Sequence, residues 1–406
     1  MEVNFPSDFL WGASLSSYQC EGSNYNTDWY IWEKERGIEN AGYACRHYSL
    51  FKEDFRLASQ TGLNSLRISL EWARIYPEES RVSEDELNHY EKVIDTLISL
   101  GMEPVVTLHH FTNPLWFAER KGWMHPQNID LFLKYVNKVV NRFRSKVKYW
   151  VVFNEPLVYI YYGFIEGIWP PGKKSLPLAY KSLRNILDAC VLAYQEIKRI
   201  YGQDSGLCRV SIAKHVKEFE PCPYNNFGQN WFSACMVSKI FNFSSIDYLL
   251  RKRCLDFLGV NYYSKGYVRH KGLIGCECRH NSHKERKNAM GWHVCPEGFY
   301  RSLKRLKRFC LPVIITENGT AESQEHLYLN YLTSHLKSMA RAYSEGINIK
   351  GYYWWSLMDN FEWDKGFCPK FGLYEVNFST MERKMRAFAG EYSRICKTRR
   401  IDITNG

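Results

Sequence analysis

The chain has 406 residues, of which 45% are hydrophobic and 24% are charged, and its formal net charge is +11. This length allows either two or three domains or one large α/β barrel. The positive charge invites a nucleic-acid-binding interpretation, but no recognition motif accompanies the basic stretches, so no nucleic-acid partner is expected.

Apolar, β-rich runs of strand length recur eight times and alternate with segments of helical periodicity. The runs lie near residues 9–15, 64–70, 104–110, 149–155, 208–214, 255–261, 312–317 and 349–356. The intervening segments 84–100 and 129–143 space their apolar residues three and four apart, as amphipathic helices do. Without a linker or a composition break between them, these units predict an α/β fold, a single (β/α)8 TIM barrel that spans 1–406 as one domain.

In such a barrel the active site lies at the C-terminal ends of the strands. Polar or aromatic residues close nearly every apolar run, and their joint occurrence favours one shared site over separate packing roles. These residues are Gln19, Arg67, His110, Asn154, Glu155, Asn261, Tyr263, Glu317 and Trp355.

The two glutamates in this set, Glu155 and Glu317, indicate sugar chemistry. Cleaving a glycosidic bond needs one carboxylic acid that protonates the leaving oxygen and one carboxylate that meets the oxocarbenium-like carbon. The aromatic residues, 16% of the chain, fit a cleft that stacks against apolar faces of a ligand. Since protein carboxylates carry this chemistry, no cofactor is expected.

One stretch has some metal-binding character, because it contains Cys276, Cys278, His280, His283 and Cys295. The first two cysteines are spaced C-x-C rather than C-x-x-C, and no matching second pair follows. No metal is therefore expected, and a structural zinc site is the alternative.

The remaining sequence features indicate the cellular compartment in which the protein is expected. The thirteen cysteines are odd in number and scattered, unlike the disulfide framework of a small secreted domain. The N-terminus shows no basic segment followed by an apolar one, and no apolar run approaches the roughly 18 residues of a membrane span. A soluble, cytoplasmic protein without a membrane partner is predicted, and a mature form that has lost a signal segment is the alternative.

Several motifs together carry a specific resemblance. They are FLWGA at 9–13 with SYQ at 17–19, LRIS at 66–69 with EWARI at 71–75, TLHHF at 107–111, FNEP at 153–156, WPPG at 169–172, DFLGVNYY at 256–263, MGW at 290–292 with PEG at 296–298, ITENG at 315–319 and WSLMDNFEW at 355–363. With these motifs the chain resembles glycoside hydrolase family 1, the retaining β-glycosidases, over residues 9–378.

The resemblance implies roles for the two glutamates. Glu155 would be the general acid/base, and Glu317 would be the nucleophile that forms a covalent glycosyl-enzyme, with retention of configuration. The negative charge of Glu317 is expected to raise the pKa of Glu155 and to keep it protonated for the first step.

The resemblance also implies the surrounding roles. Support of the nucleophile falls to Arg67, Asn261 and Tyr263. Substrate binding falls to Gln19, His110, Asn154, Trp292, Trp355, Glu362 and Trp363. Among these, Trp355 would form the apolar floor under the terminal sugar and Trp292 would stack on the aglycone. The chain departs from the usual family pattern at Phe111, where many members carry Trp, and at Cys20.

The expected activity is exo-acting hydrolysis of terminal nonreducing β-D-glycosyl residues, with β-glucosides first and β-galactosides or β-fucosides as further substrates. The expected partner is a small carbohydrate, and the oligomeric state stays open. Three alternatives remain, namely a catalytically silent sugar-binding barrel, a transglycosylating enzyme and a phospho-β-glycosidase. The last is disfavoured because an anionic Glu362 would repel a sugar phosphate.

Overall fold

Eight strands close into a parallel barrel in the computed structural model, which describes residues 1–223, 227–271, 275–278 and 285–404. The strands are Leu10–Ser14 (β1), Ser65–Ser69 (β2), Glu103–Thr107 (β3), Tyr149–Asn154 (β4), Arg209–Pro221 (β5), Leu258–Arg269 (β6), Val313–Asn318 (β7) and Ile349–Trp355 (β8). Each strand pairs in parallel with the next one along the chain, and β8 pairs with β1. The predicted barrel and its eight strands are confirmed.

Helices lie between the strands along the chain. In the part that the structure describes, the α-helices are Ser17–Glu21, Asp28–Arg36, His47–Thr61, Trp72–Ile75, Glu84–Ser99, Leu115–Glu119, Ile129–Phe143, Pro156–Ile160, Leu176–Tyr201, Phe227–Ser238, Ser244–Arg251, Pro296–Leu306, Glu325–Ser344 and Ala387–Thr398. The predictions at 84–100 and 129–143 are therefore confirmed. The basic stretch 301–308 buries Leu303 and Leu306 against the core, as a helix with an apolar stripe does.

Shorter elements complete the chain. Two-stranded pairs join Glu2–Asn4 to Arg400–Asp402 and Tyr374–Asn377 to Glu382–Met385, and Cys276–Glu277 adds an antiparallel strand to β6. The 3-10 turns are Gly122–Met124, Pro126–Asn128, Gly202–Gly206, Lys307–Phe309 and Trp363–Lys365, and the π-helical turns are Tyr161–Glu166 and Lys239–Phe243. No helix of the described chain combines the length and apolar character needed to cross a bilayer.

The helix Glu84–Ser99 illustrates why these segments fold as they do. Ser83 precedes it, and the Ser83 hydroxyl accepts a hydrogen bond from the Glu86 N–H, which satisfies an otherwise unpaired donor. Acidic residues fill its first turn, where the helix dipole favours negative charge. Its inner face buries Leu87, Tyr90, Val93, Ile94 and Leu97.

A compact apolar cluster separates the two ends of the barrel. Its members come from or adjoin seven of the eight strands, and all are buried. They are Leu10, Val105, Val151, Ala213, Phe257, Ile314 and Tyr353. Because this cluster fills the barrel interior, polar side chains further along the strands gather at the C-terminal ends, where barrel enzymes bind their ligands.

Candidate active site

A cavity of about 510 Å³ opens at the C-terminal ends of the strands. Ten of the twelve predicted site residues line it, namely Gln19, His110, Asn154, Glu155, Tyr263, Trp292, Glu317, Trp355, Glu362 and Trp363. The other two, Arg67 and Asn261, are buried and contact the two glutamates directly. The structure thus brings all twelve residues together.

Glu317 lies near the end of β7 and is held by two donors. The Arg67 guanidinium donates to one carboxylate oxygen, and the Tyr263 hydroxyl donates to the other at 2.5 Å. Arg67 is itself fixed, because its remaining nitrogens donate to Asn154 Oδ1 at 2.7 Å and to Thr107 Oγ1 at 3.0 Å. A charged donor and a phenol therefore aim this carboxylate and favour its ionised form.

Glu155 follows β4 and precedes the helix Pro156–Ile160, with a backbone φ of +47°. A left-handed backbone is uncommon for residues other than glycine, so this turn is held by its surroundings. The Glu155 N–H donates to the Ala213 carbonyl at 2.8 Å, which ties the turn to β5. The side chain accepts a hydrogen bond from Asn261 Nδ2 at 2.8 Å.

Two asparagines connect the environments of the two glutamates. Asn261 Nδ2 also donates to Asn154 Oδ1 at 3.2 Å, and its own Oδ1 accepts from the Thr316 hydroxyl at 2.6 Å. Asn154 Nδ2 and His110 Nε2 lie 3.2 Å apart. Because Arg67 also contacts Asn154, one hydrogen-bonded network positions both carboxylates.

The sequence analysis missed one site residue, His215. Its Nδ1 lies 3.3 Å from a carboxylate oxygen of Glu155. It lines the cavity from β5, four residues after the buried Ser211. The predicted strand at 208–214 stops one residue short of it. The rule that identified the other strand-end residues would have found His215 if the strand had been extended by one position.

The electrostatics of the pair differ from the sequence-based prediction. Burial raises the pKa of Glu317 to about 7, with Glu155 adding to the effect and Arg67 opposing it. Burial also acts to raise the pKa of Glu155, but His215, Asn261 and the nearby Lys214 outweigh it, and the net direction is downward. His215, which that prediction did not include, opposes the predicted rise in the pKa of Glu155, and the repulsion between the two carboxylates instead adds to the raised pKa of Glu317.

Gln19, His110 and Glu362 form a polar corner of the cavity. Gln19 Nε2 donates to the Phe361 carbonyl at 2.8 Å and lies 3.3 Å from Glu362 Oε2. Gln19 Oε1 and His110 Nδ1 are buried and have no hydrogen-bond partner within the described chain, so they are available to polar groups of a ligand. Burial, followed by Glu317, raises the pKa of Glu362 to about 8.

Aromatic rings form the rest of the wall around this corner. The Trp355 ring stacks on His110 with centroids 5.9 Å apart, and Trp363 is only 4% exposed. Trp292 lies on another part of the wall, 5.4 Å from the Tyr263 ring. Such flat apolar surfaces suit the C–H faces of sugar rings.

The described part of the possible metal-binding stretch, Cys276, Cys278 and Cys295, does not converge on a site. Within the described residues, no group of three or more His, Cys, Asp or Glu side chains is placed to hold a metal ion. Cys278 Sγ lies 3.4 Å from Cys222 Sγ, whereas Cys295 Sγ accepts from the N–H of Gly298 at the start of a helix. His280 and His283 lie outside the described residues.

Comparisons with known proteins agree with this geometry. The profile of Glycosyl hydrolase family 1 matches residues 1–227 and 224–401. Beta-glucosidase A of Thermotoga maritima is 29% identical over 98% of this chain and 99% of its own, and the beta-galactosidase of Pyrococcus woesei is 29% identical over 93% and 94%. The solved beta-glycosidase from Pyrococcus horikoshii superposes with a TM-score of 0.92 at 34% identity, covering 99% of this chain and 97% of that one.

Proposed function

Because the chain belongs to glycosyl hydrolase family 1, we propose that it is a retaining, exo-acting β-glycosidase whose first substrates are β-D-glucosides. Family membership makes it a glycoside hydrolase; the sugar, the covalent step and the residue roles are the proposal. The observation that carries the proposal is the difference between two buried carboxylates. A guanidinium and a phenol hold Glu317, whereas an amide and an imidazole hold Glu155.

The first step starts from the protonation state in which the proton shared by the coupled pair lies on Glu155 and Glu317 is ionised. Glu317 attacks the anomeric carbon while Glu155 gives its proton to the glycosidic oxygen. The bond from the anomeric carbon to that oxygen breaks, the aglycone leaves as an alcohol, and an ester joins the sugar to Glu317. Arg67 and Tyr263 support the attacking oxygens, because both donate to them in the free protein. We propose that Asn154 holds the sugar 2-hydroxyl, a contact expected to strengthen as charge develops.

In the second step, Glu155 takes a proton from water, which attacks the anomeric carbon and releases Glu317. Esterification removes the negative charge of Glu317, one of the influences that raise the pKa of groups around it. The free Glu155 carboxylate is then suited to act as a base. Two inversions at the same carbon give overall retention.

We propose that the polar corner recognises the hydroxyl groups of the terminal sugar by hydrogen bonding. Because burial, followed by Glu317, raises the pKa of Glu362 to about 8, this carboxyl takes up a proton near neutral pH more readily than an exposed glutamate, and in that form it can both donate to and accept from hydroxyl groups. The repulsion of a sugar phosphate by an anionic Glu362 is correspondingly weaker than the sequence analysis assumed. The preference for unphosphorylated sugars is therefore tested by comparing the hydrolysis of a β-glucoside with the hydrolysis of its 6-phosphate.

The test is a panel of p-nitrophenyl β-D-glycosides that includes the glucoside, galactoside, fucoside and glucoside 6-phosphate. We expect p-nitrophenol release from the glucoside, and proton NMR of the first product formed should show the β-anomer. An α-anomer as first product would contradict retention. Failure of folded protein to hydrolyse any of these substrates would favour the silent sugar-binding barrel.

His215 is expected to set the alkaline limit of activity. Replacing His215 with Phe keeps a ring near Phe241 and Tyr263 but removes the group that lowers the pKa of Glu155. The pKa of Glu155 should rise, so the acid stays protonated to higher pH and the alkaline limb of kcat/KM should move to higher pH.

The pH profile of kcat/KM for p-nitrophenyl β-glucoside measures this shift, and His215→Asn is the matched variant because it retains a side-chain N–H donor. That variant should lie between the parent and His215→Phe. An alkaline limb that stays in place, or moves to lower pH in His215→Phe, would exclude this role for the imidazole.

A further inference from the structure

One wall of the cavity mouth is formed by elements that adjoin the outer ends of β5 and β6. The helix Phe227–Ser238 contributes Val237 to the cavity lining, and the strand Cys276–Glu277 contributes both of its residues. This strand is two residues long and pairs with β6, where Glu277 lies opposite Val268. Because so short a strand forms few backbone hydrogen bonds, a further link would stabilise this wall.

Two cysteine side chains meet beside this strand. Cys222 follows β5 directly, and Cys278 follows the strand Cys276–Glu277 directly. Their Sγ atoms lie 3.4 Å apart, and both residues are thiols in the structure. A disulfide bond is about 2.05 Å long, so the two sulfur atoms need to move together by only about 1.4 Å to form one.

The backbone of β6 holds both cysteines in place. The Cys222 N–H donates to the Val268 carbonyl at 2.8 Å, and the Cys278 N–H donates to the neighbouring Tyr267 carbonyl at 2.6 Å. On its other side, the Cys222 carbonyl accepts a hydrogen bond from Asn230 Nδ2 at 2.9 Å. The two thiols are therefore brought together by main-chain hydrogen bonds, and a rotation of the side chains is enough to join them.

The exposure of the two thiols differs in a way that suits a directed reaction. Cys278 is partly exposed, whereas Cys222 is buried. A dissolved oxidant can thus reach Cys278, and Cys222 then reacts with the sulfur atom beside it. Cys20 and Cys45 also lie close together, since the Cys45 thiol donates to the Cys20 carbonyl at 3.2 Å, but both are fully buried and shielded from an oxidant.

We propose that Cys222 and Cys278 form a reversible disulfide bond that fastens the strand Cys276–Glu277 to the end of β5. The bond adds a covalent link to a wall that strand pairing and the contact between Lys217 and Glu277, 2.6 Å apart, already hold. In a reducing compartment the pair stays as two thiols, and the bond forms when an oxidant appears. This modification goes beyond the proposed function, because it is independent of the sugar that the cavity takes.

The oxidant is a small disulfide such as glutathione disulfide. The Cys278 thiolate attacks one of its sulfur atoms, which forms a mixed disulfide and releases one glutathione thiolate. The Cys222 thiolate then attacks the Cys278 sulfur of the mixed disulfide and releases the second glutathione thiolate. Two electrons thus pass from the protein thiols to the oxidant, and the two thiol protons pass to the released thiolates. A thiol reductant reverses both steps.

Peptide mapping without reduction tests the bond. The folded protein is incubated with glutathione disulfide, its remaining thiols are alkylated, and it is digested with chymotrypsin and Glu-C, which cut between Cys222 and Cys235 and after Glu277. We expect a linked pair of peptides that contains Cys222 and Cys278 and that disappears after treatment with dithiothreitol. Absence of this pair from the parent protein, or a lasting glutathione adduct on Cys278, would overturn the proposal.

The matched variants are Cys278→Ser and Cys276→Ser, which remove thiols two residues apart. Neither thiol is buried, so neither substitution should prevent folding. The link should be lost in Cys278→Ser and kept in Cys276→Ser. A link from Cys222 to Cys276 in the parent protein, or equal loss of the link in both variants, would contradict the assignment.

Thermal unfolding tests the fastening without any enzymatic assay. A bond between positions 222 and 278 closes a loop and reduces the conformational freedom of the unfolded chain. The unfolding midpoint of the oxidised parent protein should exceed that of the reduced one by about 3 °C, and Cys278→Ser should have the same midpoint under both conditions. Equal midpoints for the two states of the parent protein would refute the stabilising link. Since neither experiment uses a substrate, failure of the proposed function would leave these results unchanged.

Discussion

Replacing Glu317 with glutamine is expected to lower kcat/KM for every β-glycoside by about 10⁴-fold to 10⁶-fold. The amide cannot attack the anomeric carbon, and it leaves the buried Arg67 guanidinium without its carboxylate partner. Because Gln has nearly the shape of Glu, the variant should fold. Steady-state rates on p-nitrophenyl β-glucoside measure the loss.

A second readout separates the loss of the nucleophile from general damage. A 2-deoxy-2-fluoro glucoside with a good leaving group should add one fluorosugar mass to the parent protein, on the peptide that carries Glu317, and nothing to the variant. The control is Glu166→Gln, which changes another carboxylate of the cavity lining and should keep activity within about threefold. More than a tenth of the parent activity in Glu317→Gln, or an adduct on a different carboxylate, would refute the assignment.

Replacing Glu155 with alanine should have an effect that depends on the leaving group. An alkyl β-glucoside needs protonation as it leaves, so its kcat/KM should fall by about 10²-fold to 10⁴-fold. A 2,4-dinitrophenyl β-glucoside leaves without protonation, so its first step should be nearly unchanged. Its second step should become slow, because no base activates water, and a burst of dinitrophenol should precede a slow steady state.

Azide provides a direct check on the position of Glu155. With the carboxylate removed, azide can enter on its side of the sugar and attack the anomeric carbon of the glycosyl-enzyme, which releases Glu317 and yields a β-glycosyl azide without a base. We expect azide to restore the steady-state rate on the 2,4-dinitrophenyl glucoside. Equal losses for both leaving groups, or an α-glycosyl azide as product, would show that Glu155 is not the acid/base.

Much of the barrel is predictable from the sequence because its strands are short apolar runs that end at polar residues. The extensions of β5 and β6 are not predictable in this way. Beyond the barrel, Glu218 pairs with Lys265 and Pro221 with Val268 in the strand ladder. Neither segment has a continuous apolar run there, so the strands depend on pairing between residues that are distant in sequence.

In the candidate site, too, some features can be predicted from the sequence and others cannot. The positions of Glu155 and Glu317 follow from the strand pattern, since each closes an apolar run. The direction of the pKa of Glu155 does not follow from that pattern, because it depends on a contact with His215 that only the folded arrangement of β4 and β5 creates. The terminal strand pair Glu2–Asn4 and Arg400–Asp402 is equally invisible in either segment alone.

The ladder between β5 and β6 has a mechanical consequence for the mouth of the cavity. Backbone pairing between the two strands extends from His215 and Asn261 in the barrel to Pro221 and Val268, with one register shift between Val216 and Glu218. The strand pairing thus connects the wall that carries the helix Phe227–Ser238 rigidly to the catalytic residues at the ends of the barrel strands. As far as this wall is concerned, the turnover rate should depend on how well a substrate fits a cavity opening of fixed width. It should not depend on the rate at which this wall moves.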